Sequence, residues 1–464
     1  MSTSTVSGVN TVRALQVFLR KAPESQRLMG KFVAIGEGVG ANQHIGFIQS
    51  VGSCWLPKAI VARSWAEQVE QGFLEFVENA LYFYSIPFFA NHLFKNPLHK
   101  LSGSKFSTKL LTKPLTEIAK RSPHALKSIT PLKAAIILAS LSALVGEYSL
   151  SFFKNLQTEK LFRKSKFSDV VNLSQGSMAH NEDSPVAAKA HRRIKQCAIV
   201  AGAMLLAAVG LARFGNKSAL LQKLSSGLVK ALDFNFGKGG SVGLSKWQLR
   251  AIVLTGGASY LDAARDKLEH QEIFTRVICM IVPYYCFGKE LLSAGTVKLF
   301  GKGVPGVLTN IGKDILSAKT PKSLAKNAIT VLTTEESAVK SFEDLTGQVM
   351  SKAAQNLKKS GKSLTQANLL KEANPLFQPL LKVKNNIFMG PFAFGVVVVG
   401  FGTALLSQYW TRVRFEKSKE IQAHAARHPE EIMFKRPELY AVPGFKGAPG
   451  FNGGVSALNG VRFQ

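Results

Sequence analysis

Acidic residues are scarce in this chain: 29 Asp and Glu stand against 59 Lys and Arg, giving a net charge of +30. Such a balance implies an anionic partner, either nucleic acid or an anionic lipid surface. Cysteine is sparse as well. Cys54, Cys197, Cys279 and Cys286 form neither a disulfide framework nor a CxxC metal pattern. The N-terminal stretch MSTSTVSGVNTVRALQVFLRKAPESQR contains no unbroken apolar run, so no cleavable secretory signal is evident. Its Val12, Leu15, Phe18 and Leu19 instead make an amphipathic face, which suits an organellar transit peptide or an interfacial helix.

Charge is missing altogether from Asn385–Thr411, 27 residues between Lys384 and Arg412. As a helix this stretch is roughly 40 Å long, more than the ~30 Å of a bilayer core. We read it as a transmembrane helix. Tyr409 and Trp410, followed by Arg412, Arg414 and Lys417, give its end the aromatic-then-basic signature of a membrane interface. An apolar content of 46% and a mean hydropathy of +0.08 are high for so basic a chain. Apolar spans joined by basic loops reconcile the two, and favour lipid over nucleic acid as the anionic partner.

Weaker segments precede it. Ala134–Phe153 is a span carrying one acid, Glu147, whose place near Tyr148 and Lys154 suggests an interfacial position. Gln196–Ala212 has 17 uncharged residues, and its pairs Ala198/Gly202 and Ala203/Ala207 let helices approach closely, so it is expected to pack on protein more than lipid. The segments 79–94 and 273–288 are marginal. Glu75 and Glu78 lead into the first and Arg276 lies in the second, while Pro87 and Pro283 predict kinks or re-entrant turns.

Between these lie basic or polar stretches. Residues 95–133 hold eight Lys and Arg before Lys133 and only Glu117 as an acid, and read as a membrane-surface segment or solvated loop. Residues 289–384 are the most soluble-looking. There Thr333 and Glu336 fit a capping box opening an amphipathic helix over about residues 335–359. From Pro443 the chain is Gly-rich and reads as a flexible tail. The organisation is thus an N-terminal amphipathic and Gly-rich region (1–52), a first membrane unit (53–165) and a connecting region with its own span (166–244). A second membrane unit (245–420) and a polar helix end with flexible tail (421–464) complete it.

Three short matches recur in the same order in the two halves. SCWLPKAIV (Ser53–Val61) matches SKWQLRAIV (Ser245–Val253), SIPFFA (Ser85–Ala90) resembles IVPYYC (Ile281–Cys286), and ALVGEY (Ala143–Tyr148) matches ALLSQY (Ala404–Tyr409). Their shared order supports a two-fold internal repeat, inverted if three crossings precede the second copy. The two ALxxxY matches instead place both span ends on one side, so orientation stays open.

Chemical motifs do not survive inspection. Gly36, Gly38 and Ala41 fit G-x-G-x-x-A, but no acid follows until Glu67. GKGGSVG (Gly237–Gly243) lacks the Lys-Ser/Thr end of a P-loop, and His424 with His428 lacks the glutamate of a zinc helix. We assign no catalytic, cofactor or metal residues. The prediction is an all-α, helical integral membrane protein with about three to five membrane segments, an internal two-fold repeat and a disordered C-terminal tail, in a plasma, inner or organellar membrane. Its expected partners are the bilayer, anionic lipid head groups on the basic loops, and further copies or other membrane proteins, rather than nucleic acid. Missing chemistry points first to a structural or organising, non-enzymatic role. A transporter or channel built on the repeat is the alternative, with Glu75, Glu78, Glu147 or Arg276 facing its pathway; a basic nucleic-acid binder is the third.

Overall fold

A computed structural model describes residues 11–37, 41–113, 115–174, 184–232, 235–236, 242–334 and 337–427. Among the described residues the regular structure is all helical apart from the two-residue strands Asn235–Phe236 and Val242–Gly243, which pair antiparallel. Among the described residues four helices are long and apolar enough to cross a membrane: Pro123–Phe162, Pro185–Phe214, Lys267–Gly303 and Gln366–His424. They contain the expected segments 134–153, 196–212, 273–288 and 385–411. The fifth, 79–94, lies in a continuous helix over 65–101 whose first half carries four glutamates, and it is not among the four.

Met1–Ser407 form one compact unit and Gln408–Gln464 a second. In the second, the described residues are helical to Arg427, expose Tyr409 and Trp410, and carry an Arg412–Glu416 pair at 3.2 Å.

Inside the first unit, two hairpins of helices organise the rest. One pairs helix 41–60 with helix 65–101; the other pairs Lys246–Ala263 with Lys267–Gly303. The two turns lie together at one end, because Arg63 in the first reaches Glu272 in the second at 3.0 Å. Both hairpins therefore run in the same direction, which excludes the inverted arrangement considered from the sequence. Helix Pro123–Phe162 packs antiparallel to 65–101, with Glu78 Oε1 accepting from Ser151 at 2.7 Å. It also packs alongside the other hairpin, where Ser259 Oγ donates to the Tyr148 carbonyl at 2.8 Å. The helix from Gln366 repeats this pattern in exchange. Its Pro391 carbonyl accepts from Tyr284 at 2.8 Å, and Gly400 lies against Ser53 and Pro57.

Pro87 and Pro283 do not break their helices. The chain stays helical through both, and Pro283 follows a wide π-helical stretch, Phe274–Ile281, that gives its ring room against the preceding carbonyls. The matched tryptophans are not equivalent in the fold. Trp55 sits near the end of helix 41–60, whereas Trp247 follows directly on Ser245, the N-cap of Lys246–Ala263. Helix Pro185–Phe214 is also unlike its expectation. Ala198 and Ala203 are exposed, and it meets the first long helix mainly through Ala208 and Ala212. The small residues that pack are those a few turns further on.

The basic stretch 95–133 is folded, since Leu111 and Ile118 are fully buried in the core around Pro123–Phe162. A separate core lies in 289–384. Of the expected Thr333–Glu336 capping box, Glu336 lies outside the described residues; Thr333 ends the helix Pro321–Thr333, and the amphipathic helix starts at Phe342, capped by Ser341. Into this core packs the N-terminal helix Thr11–Lys21, with Phe18 fully buried 4.8 Å from Phe377. Its apolar face is thus covered by protein rather than left for a lipid surface. Phe18→Ala is accordingly expected to cost about 3–5 kcal/mol, and exposed Val12→Ala less than about 0.5 kcal/mol. Thermal unfolding in detergent measures both; an unchanged midpoint for Phe18→Ala would contradict the packing.

Candidate functional site

The candidate site begins at the two turns. Reading from each turn, Ala62-Arg63-Ser64-x-x-Glu67-x-x-Glu70 is repeated as Ala264-Arg265-Asp266-x-x-Glu269-x-x-Glu272. Each polar position of the motif has a physical part to play. Ser64 and Asp266 cap the following helices by accepting the backbone N–H of Glu67 and Glu269 at 3.0 and 2.9 Å. The same glutamates reach back, accepting the backbone N–H of Arg63 at 2.6 Å and of Arg265 at 2.7 Å. Their other oxygens take the guanidinium groups at 2.7 and 2.8 Å.

The second glutamate of each motif is exchanged between hairpins. Arg63 donates to both oxygens of Glu272 at 3.1 and 3.0 Å, and Arg265 to both oxygens of Glu70 at 3.0 and 2.8 Å. Such bidentate pairs fix orientation as well as distance. Phe167 lies between the two arginines, its ring centroid 5.5 Å from one guanidinium and 5.7 Å from the other. Burial alone would depress the pKa of both arginines, but the carboxylates outweigh it and hold each above its ordinary value. Asp266 is shifted up, chiefly by burial.

Further into the hairpins the polar side chains continue as a seam. Lys58 Nζ donates to Glu75 Oε2 at 2.6 Å, and Lys154 approaches the other oxygen at 3.5 Å. Tyr260 receives both lysines on its ring, at 5.7 and 4.8 Å. Its hydroxyl donates to Glu78 Oε2 at 3.2 Å, while Tyr82 and Ser151 donate to Oε1. Arg276 lies 3.6 Å from Glu272. Glu147 accepts from Ser85, and its Oε2 has no hydrogen-bond partner among the described residues. Beside the seam lies a cavity of about 60 Å³, bordered by Lys58, Glu75, Tyr82, Tyr260 and Tyr285, which together come from all four hairpin helices. A water needs roughly 10–15 Å³ on this measure, so the cavity has room for a few.

All four residues singled out from the sequence, Glu75, Glu78, Glu147 and Arg276, lie on this seam and are buried. Glu147 departs from its expected interfacial position, for it faces Ser85 inside the bundle. Sequence reading missed Arg63, Arg265 and their four glutamates, although the nine-residue motif recurs at an offset of 202. Gly38, the stretch Gly237–Ser241, His428 and the tail from Pro443 lie outside the described residues.

The exchange of partners makes a specific prediction. Arg63→Ala should destabilise by about 3–5 kcal/mol, because it strands buried carboxylates. Adding Glu272→Ala should recover part of that loss, whereas Glu343→Ala, at an exposed and distant site, should add independently. Melting midpoints of the single and double variants test this; simple additivity for Arg63 with Glu272 would refute the pairing.

Comparison with protein-family models, curated proteins and solved structures finds no match for this chain.

Proposed function

We propose that the chain is a multi-pass membrane protein formed from two like-oriented copies of a helical unit, and that the polar seam between them is a route for a small polar or charged solute. The distribution of side chains supports membrane insertion. Charged groups are turned inward, with Glu67 0% and Glu75 2% exposed, while Leu206 is 75% and Val397 63% exposed on candidate spans. Water-soluble proteins do the reverse, and a bilayer removes the cost of the exposed apolar faces. Counting crossings agrees with like orientation. The first hairpin returns the chain to the side from which it set out, and Pro123–Phe162 and Pro185–Phe214 add two passes, so both hairpins begin on the same side.

The observation that carries the transport reading is the cavity bordered by both hairpins. Ionisable groups inside a membrane are costly, and mark solute or proton pathways when they border a space that holds water. The closely paired turns support a second reading, in which the seam is a structural lock in an organising protein.

Two measurements test these readings. Carbonate and high salt should leave the chain in the membrane fraction; its release would falsify insertion. Cys54 borders the cavity and is a free thiol. With Cys197, Cys279 and Cys286 replaced by Ser, a water-soluble cationic thiol reagent should modify Cys54 in reconstituted vesicles. Complete protection from both faces would reject the route and leave the structural lock.

A further inference from the structure

The groove between the end of Pro185–Phe214 and the following helix Ala219–Leu232 plays no part in the seam. It encloses about 1050 Å³ and is walled mainly by Ala207, Leu211, Phe214, Leu220 and Leu224. Its floor is open: a side chain at Gly210 or Gly227, both of which line it, would meet nothing within 4 Å. Leu220 and Leu224 are 67% and 60% exposed, so apolar surface faces outward along it.

Where the two helices meet, the character changes. Lys223 lines the groove, and Arg213 and Lys217 each lie 5.6 Å from the Phe214 ring. No described carboxylate pairs with any of the three, and residues 185–232 contain eight Lys and Arg and no acid. The uncharged stretch ends at Ala212, which puts Arg213 where a bilayer changes from hydrocarbon to head groups.

We propose that this groove binds an anionic phospholipid, with an acyl chain beside Gly210, Leu211 and Leu224 and the phosphate on Arg213, Lys217 and Lys223. The inference rests on the reading of the chain as a membrane protein but not on the solute route. Apolar walls alone would take any acyl chain. The three cations are what select negative charge, because each basic residue at a membrane surface favours anionic lipid severalfold.

The test uses the full chain, purified in detergent and exposed to phosphatidylglycerol and phosphatidylcholine at equal amounts, with retained lipid counted by native mass spectrometry. The wild type should retain phosphatidylglycerol preferentially. Lys217→Gln and Lys223→Gln should each lower that preference about fivefold. Gly210→Phe/Gly227→Phe, placed where an added Cβ meets nothing within 4 Å, should fill the groove and abolish retention of both lipids. Unchanged melting midpoints identify variants that still fold. Equal retention of the two lipids by the wild type, or a preference untouched by the filled groove, would overturn the proposal. So would dimerisation lost on filling the groove, which would assign it to a second copy. Release of the chain by carbonate would remove the membrane reading instead, and is scored separately.

Discussion

Two guanidinium groups and four carboxylates hold the turns of the hairpins together. A buried arginine is stable only when its charge and its planar donors are both satisfied. Arg63 and Arg265 meet that demand by drawing one glutamate from their own helix and one from the other hairpin. Neither half can satisfy its own arginine alone. That exchange fixes which ends of the hairpins meet and so makes the two run in one direction. It also lines up the helices behind the turns, where Lys58, Glu75, Glu78 and Tyr260 come together across the interface. The seam and its cavity are consequences of how the turns are joined.

The first unit contains two kinds of interior. Around 289–384 and the N-terminal helix, the core is apolar, with Phe18, Phe342 and Phe377 packed together. Such a core owes its stability to the removal of apolar surface from water. Around the hairpins the inside is ionic and hydroxyl-rich, and the outside carries exposed leucine, valine and phenylalanine. Charges there gain from pairing with one another at low dielectric, while on the proposed membrane reading a hydrocarbon surrounding takes the apolar faces. One continuous helix, starting at Gln366, joins the two regimes. Its first turns pack on Phe18 through Phe377, and its later turns pack on the hairpins at Gly400.

The tryptophan match between the halves is not kept in the fold, where Trp55 and Trp247 occupy opposite ends of their helices. The motif that does correspond is sparse: alanine, arginine and two glutamates, with Ser or Asp at the cap. Its spacing follows from helix geometry. A glutamate three residues after the cap can bond both the cap-side backbone and the arginine; one three residues later faces the other hairpin.

Chain-local physics determined the helices, the four long apolar ones, and the scarcity of catalytic motifs. Length without charge, capping residues and apolar spacing act within a few turns, so they can be read directly. The flags on Glu75, Glu78, Glu147 and Arg276 were legible for the same reason, as polar groups beside apolar runs. What only the tertiary structure decided is who meets whom. Arg63 finds Glu272 209 residues away, Glu147 turns from an interface toward Ser85, and the N-terminal helix hides its apolar face against Phe377. Pairings at such separation depend on how whole helices pack, and no local spacing encodes that.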